Sequence, residues 1–193
     1  MKQILLLLPQ GVELLEAAAF IDVFGWDALL GSRSCRLLSA GPEQPLKPGF
    51  GPGLLPPLTF GQIRAADFAA LALPGGFPRH GYLRKAEPSL LALIRDFHSL
   101  GRPLAAVCTG SLLLAKAGIL SGRPAATYSG WGTDFPDRLA AAGAVFSPEP
   151  LVRSGTIITA SCPGQAVNAA LALLEAVTSG ANAARIRQIM GFA

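Results

Sequence analysis

The sequence has 193 residues, of which 51% are apolar and 15% are charged. This balance excludes intrinsic disorder, which needs low hydrophobicity and high net charge, and it predicts one compact domain over residues 1–193. Lys and Arg outnumber Asp and Glu by 16 to 12, and the resulting charge of +4 is scattered along the chain, so no nucleic-acid surface is expected.

The N-terminal apolar run Ile4–Leu8 ends at Pro9, too soon for an export signal or a membrane-spanning helix. We therefore expect a cytoplasmic protein that does not contact a membrane. The three cysteines are Cys35, Cys108 and Cys162. Their number and spacing do not fit a metal site or a disulfide framework, so reduced thiols are expected.

Continuous apolar runs alternate with helical segments along the chain, which predicts an α/β sandwich: a mainly parallel sheet with helices on both faces. The predicted strands are Ile4–Leu8, Cys35–Ala40, Phe68–Leu73 and Leu104–Val107, followed by a hairpin from Leu151 to Ala160. The predicted helices cover residues 12–30, 88–100, 109–117, 165–178 and 181–190. The Pro- and Gly-rich segment Gly41–Pro57 is predicted to be an inserted loop or ribbon rather than a domain boundary.

The strand Leu104–Val107 meets the next helix with only a tight turn between them, and Cys108 lies on that turn. Ala106 and Gly110 are small, as a sharp nucleophile elbow requires. Because a thiol at the start of a helix faces free N–H groups, we expect its pKa to be lowered, and we expect the Thr109 amide to bind an oxyanion. The pattern alone also fits a buried, inert cysteine.

Glu16 lies on the apolar face of the first predicted helix, with Ala19, Phe20 and Val23. Burial disfavours a charged carboxylate and raises its pKa, so Glu16 is expected to be neutral and able to donate a hydrogen bond to a nearby thiolate. The alternative role, an acidic residue that stabilises the helix N-terminus, fits Glu13 better because Glu16 lies one turn later.

Two further turns follow buried strands, where α/β proteins form their binding sites. Gly75 and Gly76 follow Phe68–Leu73 and allow close backbone approach to a ligand, although a simple glycine turn explains them equally well. Cys162 and Pro163 follow the last strand and are expected at the same edge of the sheet.

Together these segments resemble the ThiJ/PfpI superfamily, whose flavodoxin-like fold is related to class I glutamine amidotransferases. The resemblance covers nearly the whole chain, in the order and spacing of the family's motifs. The matching segments are Gly11–Glu16, Leu73–Gly76, Ala105–Gly110 and Thr159–Gly164.

The resemblance implies a role for each matching residue. Cys108 matches the family's nucleophile and oxidation-sensitive cysteine, Glu16 the protonated acid beside it, and the amides of Gly76 and Thr109 the oxyanion donors. It also implies a homodimer that acts on a small-molecule substrate with no cofactor and no metal. Members include glyoxalase- and deglycase-like enzymes for methylglyoxal-type aldehydes, peptidases, isonitrile hydratases and redox-sensing chaperones.

The sequence departs from the family pattern at two places. Tyr128 stands where many members have a histidine, and we expect its hydroxyl to face the Cys108 pocket and donate a hydrogen bond. Both histidines precede Cys108, which argues against glutaminase chemistry; His80 is either a base that approaches from another direction or a solvated loop residue. Cys162 lies in the family's Arg-Gly-Pro-Gly turn, either as a thiol able to pair with Cys108 or as a small buried residue.

Three functions remain open from the sequence. The first is an enzyme in which Cys108 adds to a 2-oxoaldehyde, giving a hemithioacetal, while Glu16 moves the proton. The second is a non-catalytic, redox-responsive protein in which Cys108 oxidises to a sulfinate. The third is isonitrile hydration, suggested by the elbow sequence, although that relative has aspartate in place of Glu16.

Overall fold

A computed structural model describes residues 1–42, 45–84 and 88–192. Its strands are β1 (Lys2–Leu7), β2 (Cys35–Gly41), β3 (Leu58–Thr59), β4 (Ala70–Leu73), β5 (Leu104–Val107), β6 (Pro124–Ala125), β7 (Val145–Phe146), β8 (Leu151–Ser154) and β9 (Ile157–Ala160). Its helices are α1 (Leu14–Leu30), α2 (Pro88–Ser99), α3 (Gly110–Lys116), α4 (Phe135–Ala141), α5 (Ala166–Val177) and α6 (Gly180–Ile189). No helix in this described part of the chain is both long and apolar enough to cross a membrane.

Seven strands form one sheet in the order β3-β2-β1-β4-β5-β9-β8. All neighbouring pairs are parallel except the hairpin of β8 and β9, as predicted. Strands β6 and β7 form a separate two-stranded sheet. The predicted α/β sandwich with a mainly parallel sheet is therefore confirmed.

Both faces of the central sheet are buried, because successive residues of a strand point to opposite sides. Ile4 and Leu6 of β1 pack in one apolar cluster with residues of α1 and α5. Leu5 and Leu7 pack in a second cluster with residues of α2 and α3. This two-sided burial explains why the central strands are continuously apolar.

Every predicted helix and strand is found, with ends that differ by no more than two residues. No sequence pattern indicated β3, α4 or the β6–β7 sheet, because two-residue strands and a helix of seven residues are too short to show a clear period. Residues 45–57 form no helix or strand apart from a single bridge between Leu46 and Leu54. At the start of the predicted loop, Gly41 is instead the last residue of β2, and residues 43 and 44 lie outside the described residues.

The parallel arrangement brings several strand ends to one edge of the sheet. Val107 lies opposite Ala160, and Leu73 lies opposite Ala106. The turns that follow β4, β5 and β9 therefore converge, and these turns carry most of the predicted site residues.

Asp27 secures the helix that carries Glu16. It is fully buried near the end of α1, where its Oδ1 accepts hydrogen bonds from the Ser32 N–H (2.9 Å), the Ser32 hydroxyl (3.0 Å) and the Asn182 side-chain amide of α6 (2.7 Å). This carboxylate therefore joins α1, the following turn and α6.

We predict that Asp27→Ala lowers the free energy of unfolding by about 2–3 kcal/mol, because it leaves buried donors without an acceptor. Asp27→Asn keeps one acceptor oxygen and should cost about half as much. Urea unfolding measures both values. Equal stability of the alanine variant and the wild type would contradict this role.

Candidate active site

Cys108 lies at a sharp turn between β5 and α3. Its φ of +55° falls in the left-handed region, which costs a residue with a side chain roughly 1–2 kcal/mol. The Cys108 N–H donates to the Ala160 carbonyl (2.8 Å), and the Thr127 hydroxyl donates to the Cys108 carbonyl (3.0 Å). A Cβ at Gly110 would lie 2.8 Å from the Leu73 carbonyl oxygen, so this close approach needs glycine. The structure thus forms the strand–turn–helix elbow expected from the sequence.

Glu16 is fully buried on α1 and lies beside the Cys108 thiol. Its Oε2 accepts a hydrogen bond from the Gly75 N–H (2.5 Å), whereas Oε1 has no partner at hydrogen-bond distance among the described residues. Burial, and then the nearby charge of Glu13, raise the pKa of Glu16 to about 8. The carboxyl group is therefore neutral at pH 7.

Glu13 is a second carboxyl group of the site, although its place in the sequence indicates only a residue that stabilises the helix N-terminus. It is the residue before α1, but its side chain makes no capping hydrogen bond. One oxygen of Glu13, one oxygen of Glu16 and Cys108 Sγ all lie within 4.8 Å of one another. Burial raises the pKa of Glu13 as well, although this residue remains partly exposed.

The expectation of a lowered thiol pKa is wrong. Burial raises the pKa of Cys108, and negative charge on Glu16 raises it further. A hydrogen bond from the Thr109 N–H lowers the pKa but does not offset these effects. The sequence pattern showed the helix start correctly, but it did not show how completely the sulfur is shielded from water. At neutral pH the site holds a thiol that needs a base in order to react.

The glycine pair after β4 has backbone N–H groups that already have acceptors. The Gly75 N–H donates to Glu16, and the Gly76 N–H donates to the Thr109 hydroxyl (2.8 Å). That hydroxyl donates in turn to the Gly76 carbonyl (2.7 Å). The Thr109 N–H is therefore the predicted donor that already faces the sulfur, whereas Gly76 would have to exchange partners before it could bind an oxyanion.

A cavity of about 510 Å³ opens at Cys108. Five of the predicted site residues line it: Gly76, Cys108, Thr109, Tyr128 and Pro163. The sequence analysis did not identify the other lining residues, which are Glu13, Phe77, Pro78, Arg79, Trp131, Thr133 and Phe135. Another depression of about 480 Å³, beside α5 and α6, contains no thiol in its wall.

Tyr128 lies on the cavity wall, close to the turn that follows it. A Cβ at Gly130 would lie 2.7 Å from the Tyr128 hydroxyl, so this oxygen packs against the backbone of the turn. The hydroxyl makes no hydrogen bond with another residue in the described ranges. Its predicted role as a donor to the site stays a prediction.

The two remaining candidates do not line the cavity. His80 is exposed, and its ring lies 6.0 Å from the ring of Phe77 and 6.3 Å from that of Phe50. Cys162 is a free, half-buried thiol next to Pro163. Its pairing with Cys108 stays a prediction.

Within residues 1–42, 45–84 and 88–192, Glu13, Glu16 and Cys108 are the one group of three side chains able to hold a metal ion. Binding there would have to displace the protons of Glu16 and Cys108, whose raised pKa values oppose this. We keep the prediction that the site works without a metal or an organic cofactor.

The raised pKa of Glu16 makes stability depend on pH. Folded Glu16 keeps its proton up to about pH 8, whereas its ordinary pKa is 4.5, so the unfolded chain releases this proton at lower pH. We predict that wild-type stability falls relative to Glu16→Gln by on the order of 1 kcal/mol per pH unit between pH 5 and 8. Urea unfolding at four pH values measures the difference. Parallel pH profiles would show that Glu16 is ionised in the folded protein.

Several proteins resemble this chain in sequence or structure. A deglycase of Pyrococcus horikoshii is 30% identical over 106 residues, 55% of this chain and 60% of the relative. An isonitrile hydratase of Pseudomonas putida is 31% identical over 145 residues, 75% of this chain and 60% of the relative. The chain thus spans about three fifths of the length of these two relatives.

The crystal structure of Drosophila melanogaster DJ-1beta superposes with a TM-score of 0.84, covering 100% of this chain and 98% of that one at 23% identity. This likeness shows the fold. The sequence itself matches the DJ-1/PfpI family over residues 2–176. With its fold, its elbow and nearly its whole length in agreement, the chain belongs to the DJ-1/PfpI family.

Proposed function

We propose that this protein is a cysteine-dependent enzyme that converts reactive 2-oxoaldehydes, in the manner of a glyoxalase or deglycase. The observation that carries the proposal is the position of the Cys108 thiol within 4.8 Å of two carboxyl groups of different burial, at an open cavity. The similarity to a deglycase supports the same substrate class.

The two carboxyl groups suit opposite roles in proton transfer. Glu16 is fully buried and neutral at pH 7, so it acts as the acid. Glu13 is only half-buried, so its pKa is raised less and it acts as the base. Different surroundings that separate two pKa values in this way are typical of acid–base pairs in enzymes.

In the first step the Cys108 S–H proton passes to Glu13 as the sulfur attacks the aldehyde carbon. The electron pair of the C=O π bond moves to the oxygen, which takes the proton of Glu16. The product is a hemithioacetal, and the Thr109 N–H lies close enough to the sulfur to stabilise the oxygen as its charge develops.

In the second step Glu16, now a carboxylate, removes the proton from the former aldehyde carbon, and Glu13 protonates the neighbouring ketone oxygen, which gives an enediol. A proton then returns to the second carbon, and the hydroxyl on the first carbon loses its proton to give a thioester. Water attacks the thioester, the C–S bond breaks, and the sulfur leaves with a proton. The sum is 2-oxoaldehyde plus water giving a 2-hydroxy acid, with no external oxidant or reductant.

We predict that the purified protein converts methylglyoxal to lactate, and that Cys108→Ser lowers the rate on the order of 100-fold or more because the nucleophile is lost. Loss of aldehyde and appearance of lactate are followed together. Cys35→Ala is the matched control, since Cys35 is buried in β2 away from the cavity. Equal rates for wild type and Cys108→Ser would overturn the proposal.

A second candidate function is redox sensing, favoured by the fully buried carboxyl group of Glu16, which has an oxygen within 4.8 Å of the Cys108 sulfur. A neutral carboxyl group there can donate a hydrogen bond to a sulfinate oxygen. We predict that mild peroxide adds two oxygens to Cys108 before Cys35 or Cys162 reacts, as measured by mass spectrometry of peptides. A cross-linked Cys108–Cys162 peptide would instead show that Cys162 traps the sulfenate, and Cys162→Ala should then restore the sulfinate.

The isonitrile hydratase similarity supports a further assay, because it covers 75% of the chain, more than the 55% covered by the deglycase. Turnover of an isonitrile to a formamide, with no loss of methylglyoxal, would favour that reaction.

A further inference from the structure

Trp131 occupies an unusual position at the mouth of the Cys108 cavity. It lines the cavity, yet the residue is 96% exposed, more than any other large apolar residue in the described part of the chain. Exposing an indole ring to water forgoes the stabilisation that burial gives to a large aromatic side chain.

The backbone of this residue is strained as well. Trp131 has a φ of +57°, in the left-handed region, and stands between Gly130 and Gly132, which has a φ of +65°. A residue with a side chain rarely adopts this conformation, because its Cβ then crowds the following carbonyl oxygen. The turn thus holds Trp131 at the cavity mouth in a conformation that is both strained and exposed.

No contact within the described chain explains this arrangement. No aromatic ring of another described residue stacks on Trp131, and the indole N–H has no hydrogen-bond partner among those residues. The ring is therefore free to cover a molecule bound in the cavity.

The rest of the cavity favours the same kind of molecule. Its wall includes the aromatic rings of Phe77, Tyr128 and Phe135. Arg79 also lines the cavity and forms no ion pair with a described residue, so its guanidinium can lie over an aromatic ring. The volume of about 510 Å³ is several times that of a three-carbon oxoaldehyde and is typical of sites for larger ligands.

The geometry points to an aryl-substituted 2-oxoaldehyde as the substrate, with Trp131 as a specificity-determining residue that covers the substrate's aromatic ring. This inference rests on the proposed function for the chemistry at Cys108, but ring binding is independent of that chemistry. The carbonyl end reaches Cys108, and the aromatic ring lies beneath Trp131.

Binding is tested in Cys108→Ala protein, in which the sulfur cannot react. The chain has two tryptophans, so an NMR spectrum shows two indole N–H signals, and Trp26→Phe in α1 identifies the signal of Trp131. Acetophenone should shift the Trp131 signal saturably, whereas cyclohexyl methyl ketone and acetone should bind at least about fivefold more weakly. Equal binding of acetophenone and cyclohexyl methyl ketone would show an apolar site without selectivity for aromatic rings. Absence of a shift of the Trp131 signal would show that Trp131 does not contact the ligand. Either result overturns the inference.

Kinetics provide the second test. Trp131→Ala should raise KM for phenylglyoxal about tenfold with little change in kcat, and it should leave KM for methylglyoxal unchanged. Trp131→Phe should restore most of the loss, because it retains an aromatic ring. An equal effect of Trp131→Ala on both substrates would contradict the inference. If neither aldehyde turns over while acetophenone still shifts the Trp131 signal, the proposed function fails and the aromatic site stands.

Discussion

The burial of Glu16 against the Gly75 N–H is the interaction on which the rest of the site depends. This hydrogen bond fixes Oε2 and holds the carboxyl group close to Cys108, in surroundings that raise the pKa of Glu16 to about 8. A buried carboxylate without a matching cation would cost several kcal/mol, so the protein keeps the group neutral instead. An acid that holds its proton at neutral pH is thus a direct consequence of packing α1 against the turn after β4.

That packing requires the turn at Gly11, before α1, and the turn after β4 to approach each other very closely. A Cβ at Gly76 would lie 2.4 Å from the Gly11 carbonyl oxygen, and a Cβ at Gly75 would lie 2.9 Å from Glu16 Oε2. Tyr82 is fully buried beneath this contact and donates a hydrogen bond to the Pro74 carbonyl (2.5 Å). The glycine pair therefore allows the backbone to contact Glu16. Its N–H groups stabilise the site by donating to Glu16 and to Thr109.

The same burial that keeps Glu16 neutral also keeps Cys108 protonated. A thiol shielded from water and placed near two carboxyl groups is poorly reactive unless a substrate and a base meet it together. The half-buried Glu13 becomes important for this reason, since it is the carboxyl group best able to accept the proton.

The sequence by itself determined the order of most helices and strands, the two-sided burial of the sheet, and the elbow at Cys108. These features depend on local patterns: continuous apolar runs, small residues around a turn, and a carboxyl group on an apolar helix face. Tertiary structure alone decided the rest. Glu13, Arg79 and Trp131 join the site because strand ends and loops far apart in the chain meet at one edge of the sheet, which no local pattern encodes. The direction of the Cys108 pKa was likewise decided by burial, because desolvation depends on everything that surrounds the sulfur rather than on its place at the start of a helix.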